Sequence, residues 1–214
     1  MDARELTGIA LLVVQALIIL PLVIELRRTR SAEGISITSE VAWVIAGVGW
    51  SIYGALTGST ILVISGALAT AGSLAVLLLT GRDVPSAVWR KVAVLGAIFA
   101  AAMALSTVFF GAVGLAIFLS IFGLVQFVPQ IVTSLRALRT RTGHGVPVVG
   151  TGLRAAYTAT WAIYAGAWWL WGIAFADIDW PLAVWGATGF VAFGLQCAAG
   201  LRAIKTPASM KTRA

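Results

Sequence analysis

Two aromatic pairs recur in the sequence with the same internal spacing. Trp50 and Tyr53 are three residues apart, and so are Trp161 and Tyr164, which follow 111 residues later. Residues three apart share one face of a helix, so each pair would present two rings to the same space. An indole offers a flat face for stacking and one N–H donor, and a tyrosine adds a hydroxyl group. This chemistry is typical of a site that binds a small molecule, although large rings also fill the interior of helical bundles.

The sequence carries no pattern that predicts a catalytic or metal centre. It lacks a His-Glu-x-x-His motif, a Cys-His ligand cluster and paired carboxylates inside an apolar segment. Cys197 is the single cysteine, and we expect it to be a small packing residue. We therefore expect neither an enzyme nor a protein that holds a metal or another cofactor.

The elements that carry the aromatic pairs are predicted to lie in a lipid bilayer. Apolar residues make up 60% of the 214-residue chain, the mean hydropathy is +0.98, and only 11% of the residues are charged. Soluble domains contain about 25% charged residues. The lipid bilayer is therefore an expected partner. The net charge of +7 indicates membrane topology rather than nucleic-acid binding, because the basic residues lie between apolar stretches.

Charge-free stretches can be measured against the roughly 20 residues needed to cross a bilayer. Residues 6–24 give one span, 41–81 two, 92–135 two, and 155–176 and 180–201 one each, so seven spans are predicted. Fourteen of the fifteen Lys and Arg residues fall in alternate loops or in the C-terminal tail. The positive-inside rule then places the N-terminus outside and the C-terminus in the cytoplasm. We expect a multi-pass protein of the plasma membrane.

The spans are predicted to form two repeats. A turn over residues 30–36, together with the Trp50 motif, recurs over residues 141–147 and at Trp161. Both repeats would start outside, so they have the same orientation and need one additional crossing between them. The predicted fold is an all-α integral membrane protein with seven transmembrane helices, in a 3+1+3 arrangement of two parallel three-helix bundles.

This arrangement divides the chain into four parts. Residues 1–81 form the first three-helix repeat, 82–110 the linker helix, 111–204 the second repeat, and 205–214 a cytoplasmic tail. A turn between the linker and the second repeat is expected near residues 111–114.

Two prolines lie at matching places near the predicted cytoplasmic ends of the first and fifth helices. Pro21 and Pro129 are 108 residues apart. A proline inside a helix removes one backbone hydrogen bond and kinks the helix. Transmembrane helices are generally richer in proline than soluble ones, but duplication at corresponding positions favours hinges of a cytoplasmic gate.

The sequence Pro129-Gln130-Ile131, followed by a basic run and Gly145, resembles the PQ-loop signature. Pro21 and the turn over residues 30–36 resemble its copy in the first repeat, with Leu22 in place of the Gln. The 3+1+3 layout is similar to that of the SWEET family of sugar transporters within the PQ-loop superfamily. The resemblance covers nearly the whole chain.

The resemblance implies roles for the repeated residues. Trp50 and Trp161 would stack on the substrate at mid-bilayer. Tyr53 and Tyr164 would belong to an extracellular gate, and Pro21, Pro129 and Gln130 to a hinged gate on the cytoplasmic side. Ordinary interfacial tyrosines would look the same in the sequence.

The sequence departs from the resembled family in its third helices. SWEET-like pockets carry an Asn on the third helix of each repeat, and this sequence contains no Asn. Aligning Ser59 with Asp179 puts Gly66 and Gly186 at those positions. A sugar needs several hydrogen-bond partners, because an unpaired hydroxyl in a dry site is costly. Candidate partners are Ser65, Thr70, Thr158, Thr188 and Gln126.

The expected function is alternating-access transport of a small molecule, with a sugar as the favoured substrate. No acidic residue or His lies at predicted mid-depth, which favours a facilitative uniporter over proton coupling. Glu25 and Glu40, at helix ends, are expected to pair with nearby arginines. The alternatives are a PQ-loop transporter of amino acids or another small organic solute, and a seven-helix receptor that does not transport. A homo-oligomer is compatible with the sequence.

Overall fold

The computed structural model describes residues 3–29, 37–80, 85–140, 152–174 and 179–205. All regular structure in these ranges is α-helical, which confirms the predicted all-α class for this part of the chain. The repeated turns over residues 30–36 and 141–147 and the tail over 206–214 lie outside the described residues. The helices are α1 (Ala3–Thr29), α2 (Ile37–Thr57), α3 (Thr60–Thr80), α4 (Ser86–Thr140), α5 (Gly152–Ala174) and α6 (Trp180–Lys205).

Helix α4 consists of two helices joined at Gly111. The backbone of Gly111 has φ 59° and ψ −142°, a conformation that favours glycine because it has no Cβ. The Ser106 hydroxyl donates to the Gly114 carbonyl at 2.8 Å and so bridges the break. The break lies at the place where the sequence predicts a turn.

Four of the described helical segments are long and apolar enough to cross a membrane: Ala3–Arg28, Thr60–Thr80, Ser86–Phe127 and Trp180–Ala198. The outside of the protein is apolar as well, with Leu78 exposed by 75%, Val108 by 79% and Phe109 by 71%. Large exposed apolar surfaces of this kind mark contact with a membrane or a partner. The protein therefore has the long apolar helices expected of a membrane-embedded chain.

The helices pack as two similar groups. Helix α2 packs on α3 and α5 on α6, while α1 contacts α3 and α5, and α4 contacts α6 and α2. The pattern is unchanged when α1, α2 and α3 are exchanged for α4, α5 and α6. Helices α1 and α4 therefore each join one helix pair and touch the other.

The described ends of the turns before α3 and α6 share two kinds of hydrogen bond, and the second turn is two residues longer. The N–H of Ser59 donates to the Gly54 carbonyl at 2.7 Å, and that of Asp179 donates to the Gly172 carbonyl at 2.9 Å. The Ser59 and Asp179 side chains each accept the N–H three residues further on, at 3.5 and 3.1 Å. Ser and Asp are favoured N-cap residues, so each of the two residues starts its helix in the same way. The structure thus gives Ser59 and Asp179, which the sequence analysis aligned, the same role.

The glycine carbonyl groups that accept these bonds change the correspondence of the tryptophans. Gly54 corresponds to Gly172, which is 118 residues later. In this register Trp43 corresponds to Trp161, and their ring centroids are 5.5 Å apart. Trp50 then corresponds to Trp168. The sequence analysis matched Trp50 with Trp161 at a spacing of 111 residues. The structural spacing is seven residues larger, which is two helical turns.

Candidate functional site

A cavity lies between the two helix groups. It contains about 420 Å³ of empty space, its open part included. Helices α1, α2, α3, α5 and α6 all contribute to its wall. The lining residues are Gln15, Trp43, Ala46, Gly47, Trp50, Leu62, Ser65, Gly66, Ala69, Trp161, Tyr164, Trp168, Leu182 and Trp185. None of these described residues carries a charge, so the wall suits an uncharged group.

Five tryptophans dominate the wall. The Trp43 ring lies 5.5 Å from that of Trp161 and 5.8 Å from that of Trp185, and Trp50 lies 6.1 Å from Trp185. Trp168 continues the series on α5 and is 2% exposed. Tryptophan rings held this rigidly offer flat faces on which a planar or ring-shaped solute can stack. Sequence reasoning missed Trp43, Trp168 and Trp185. The seven-residue spacing of Trp43 from Trp50 and of Trp161 from Trp168 was the available signal.

A small polar network forms the other part of the wall. The Gln15 side-chain amide donates to the Ser65 carbonyl at 3.0 Å, and the Ser65 hydroxyl donates to the Gln15 amide oxygen at 2.8 Å. The Tyr164 hydroxyl hydrogen-bonds with Ser65 and accepts the indole N–H of Trp168. These bonds join α1, α3 and α5. Gln15, which the sequence analysis did not single out, is only 3% exposed.

Four of the residues that were predicted from the sequence for substrate binding line the cavity. They are Trp50, Trp161, Gly66 and Ser65. Thr158 and Gln126, both partly buried, and Gly186 are described by the structure but are not lining residues.

Gly66 and Gly186 have a shared packing role. A Cβ on Gly66 would overlap the Gly47 carbonyl of α2, and one on Gly186 would meet the backbone of Trp169 in α5. Small residues at such crossings let two helix backbones approach closely. The positions where the resembled family carries Asn are therefore contact points between helices here.

About one turn beyond the lining residues Trp50 and Trp168 lies a cluster that we name the Arg4 cluster: Arg4, Tyr53, Trp171 and Asp179. The Tyr53 hydroxyl donates to a carboxylate oxygen of Asp179 at 3.5 Å, which is a long hydrogen bond. The indole N–H of Trp171 donates to the Arg4 carbonyl at 3.2 Å, and the Arg4 guanidinium lies 4.9 Å from the Trp171 ring centroid. Each bond joins one helix group to the other, and Tyr53 corresponds to Trp171 at the 118-residue spacing of Gly54 and Gly172.

The predicted gate residues lie in different parts of the structure. Tyr53 belongs to the Arg4 cluster, whereas Tyr164 lies two turns before Trp171 on α5 and lines the cavity. Pro21 lies inside α1 with an exposed side chain. Pro129 and Gln130 are in the helical part of α4, and their side chains lie outside the described residues.

Two acidic residues have partners of different kinds. Burial raises the pKa of the Asp179 carboxyl, while its bond from the Leu182 N–H, the charge of Arg4 and the Tyr53 hydroxyl partly oppose this. Glu40 lies in the first turn of α2 and hydrogen-bonds with the Ser73 side chain. Its expected partner was an arginine. Among the described residues, no group of three or more His, Cys, Asp or Glu residues is arranged to hold a metal ion.

Comparison of this chain with protein-family models, curated proteins and solved structures found no match.

Proposed function

We propose that this protein carries a small uncharged solute, with a sugar as the favoured substrate, across a membrane by facilitative alternating access. The proposal includes seven spans in a 3+1+3 arrangement, with Gly111 separating the linker helix from the second repeat. In this proposal the resemblance to the SWEET family is a resemblance in the arrangement of the helices. The N-terminus would be outside and the C-terminus in the cytoplasm.

The observation that carries the proposal is the central cavity shared by the two helix groups. Alternating access needs one binding site that two similar bundles can expose to either side in turn. The cavity meets this need because α1, α2 and α3 supply one part of its wall and α5 and α6 the other. The Arg4 cluster supports the proposal as well, since its bonds join the groups at one end and would open if the groups moved apart.

The wall also favours an uncharged substrate. A buried charge without a partner is costly, and every described lining residue is uncharged. Zwitterionic amino acids would need charged partners for two groups. Stacking on the tryptophans and hydrogen bonding to Ser65 or Tyr164 suits a neutral ring with hydroxyl groups.

Uptake into proteoliposomes tests the function. The wild-type protein is expected to equilibrate one or more sugars from a labelled panel of sugars, amino acids and small acids, without a pH gradient. Replacement of Trp50 or Trp161 by Ala is expected to reduce uptake several-fold, because an aromatic contact contributes about 1 kcal/mol beyond its area. Trp180→Ala is the matched control, since Trp180 is 66% exposed and lies outside the wall. Normal uptake by both cavity variants would contradict the assignment of the cavity as the transport site.

A further inference from the structure

Three buried polar atoms in the described part of the chain have no hydrogen-bond partner. They are the side-chain amide nitrogen and oxygen of Gln126 and the indole nitrogen of Trp185. Buried polar groups in native proteins are nearly always paired with protein, water or a ligand. These atoms therefore mark places where a partner is missing.

Gln126 is one turn along α4 from the point where that helix meets Trp185 of α6. A Cβ on Gly123 would lie 3.0 Å from the Cδ1 atom of Trp185, which is bonded to the indole nitrogen. Gln126 follows Gly123 by three residues, so it shares the same helix face. Helical side chains lean toward the preceding turn, which brings the Gln126 amide toward the N–H edge of Trp185.

The corresponding place in the other helix group is fully paired. Ser65 is six residues after the cap Ser59, and Trp185 is six residues after the cap Asp179. Ser65 binds both atoms of the Gln15 amide. Gln126 belongs to α4, which contacts α6 as α1 contacts α3. Trp185 cannot substitute for Ser65, because an indole donates but does not accept.

We propose that Trp185 and Gln126 form a polar subsite that hydrogen-bonds one uncharged hydroxyl group of the transported solute. The proposal rests on the proposed transport function. The hydroxyl oxygen accepts the Trp185 N–H, and the hydroxyl proton is donated to the amide oxygen of Gln126. A hydroxyl is favoured because it combines an acceptor and a donor in one atom, whereas a carboxylate would bring an unpaired charge into an uncharged wall.

Trp185 connects this subsite to the cavity. It lines the cavity itself, and its ring touches those of Trp43 and Trp50 at centroid distances of 5.8 and 6.1 Å. A ring-shaped solute stacked on the tryptophans could therefore place one of its hydroxyl groups at the Trp185 N–H. The subsite also makes the two halves of the cavity unequal, so that the solute binds in one orientation.

The indole N–H of Trp185 can be observed directly by NMR. The chain contains nine tryptophans, so protein labelled with ¹⁵N-tryptophan gives nine indole signals, and Trp185→Phe identifies one of them. The probes are glucose, fructose and sucrose, added to the full-length protein in nanodiscs. We expect at least one probe to shift the Trp185 signal. Trp185→Phe and Gln126→Leu should weaken binding of that probe about threefold to tenfold, as measured from the remaining signals. Trp180→Phe should leave binding unchanged.

Parallel uptake measurements separate this inference from the function on which it rests. Uptake of a sugar that leaves the Trp185 signal unmoved would overturn the subsite and leave the transport function standing. A shifted signal without uptake would support the subsite and overturn transport. If Gln126→Leu shifts the Trp185 signal in protein without sugar, and sugar does not, the two side chains bond to each other and the subsite is wrong. Neither uptake nor a shift with any probe would overturn both.

Discussion

The two sides of the cavity share their packing and differ in their hydrogen bonding. Ser59 and Asp179 cap α3 and α6 in the same way, and Gly66 and Gly186 let the same helix pairs approach. Around these common points, one side pairs Gln15 with Ser65, whereas the other leaves the Gln126 amide and the Trp185 N–H without partners. Backbone packing must be preserved in both halves for the bundle to form. The side chains facing the cavity can differ, and that difference is where solute selectivity can arise.

Substitutions that disturb the shared packing are expected to have the largest effect on stability. Gly66→Val and Gly186→Val should each destabilise the protein by more than about 3 kcal/mol, the upper end of the usual cost of overpacking, because the added atoms meet backbone that cannot move aside. Thermal unfolding of the detergent-purified protein measures the effect. Gly194→Val is the control, since a Cβ there would meet nothing within 4 Å. If only one of the two glycines proves sensitive, the halves differ in packing as well.

Substitutions of the two glutamines are expected to have an intermediate effect on stability. Gln15→Leu should cost about 1–3 kcal/mol of unfolding free energy, because it removes both bonds to Ser65. Gln126→Leu makes the same chemical change in α4 and should cost nothing or stabilise the solute-free protein, since it replaces an unpaired buried amide. Chemical denaturation of both variants without added solute provides the comparison. Equal losses would show that Gln126 has a partner in the membrane.

Much of the fold, but less of the site, could be predicted from the sequence. The all-helical class follows from composition, and the break at Gly111 follows from a glycine between two apolar stretches. The sequence also identified Trp50 and Trp161, which line the cavity. The sequence did not show which residues of the two helix groups correspond, because the second Trp-x-Ile-Tyr motif lies two turns away from the structural counterpart of Trp50. The correspondence of residues in the two groups becomes visible only in the structure, where Gly54 and Gly172 accept equivalent hydrogen bonds.

The polar residues of the wall were harder to predict for a different physical reason. Gln15 and Trp185 belong to helices that are apolar along most of their length, so periodicity does not reveal which turn faces the cavity. Their roles depend on contacts between helices that are distant in the chain, such as Gln15 with Ser65. A sequence pattern within one helix contains no information about such a contact.

Substitutions of the cap residues Ser59 and Asp179 are expected to have the smallest effect on stability. Burial raises the pKa of Asp179, so the folded protein binds this proton more tightly than the unfolded chain does. This contribution to stability is fully present below the ordinary Asp pKa of about 4 and is lost as the pH rises through the raised pKa of the folded state. Asp179→Asn should remove that slope while the cap and the bond from Tyr53 remain, because Asn is an equally good N-cap and offers a side-chain oxygen.

Thermal unfolding of both proteins between about pH 4 and about pH 8 measures the difference, which we expect to stay below about 1 kcal/mol because Asp179 is only partly buried. The corresponding change in the other half, Ser59→Asn, also keeps a cap but removes no titrating group, so its pH profile should run parallel to that of the wild type. A wild-type slope that survives in Asp179→Asn would mean that another group titrates. In that case protonation of Asp179 would contribute nothing to the difference between the two caps, and the Arg4 cluster would owe no stability to it.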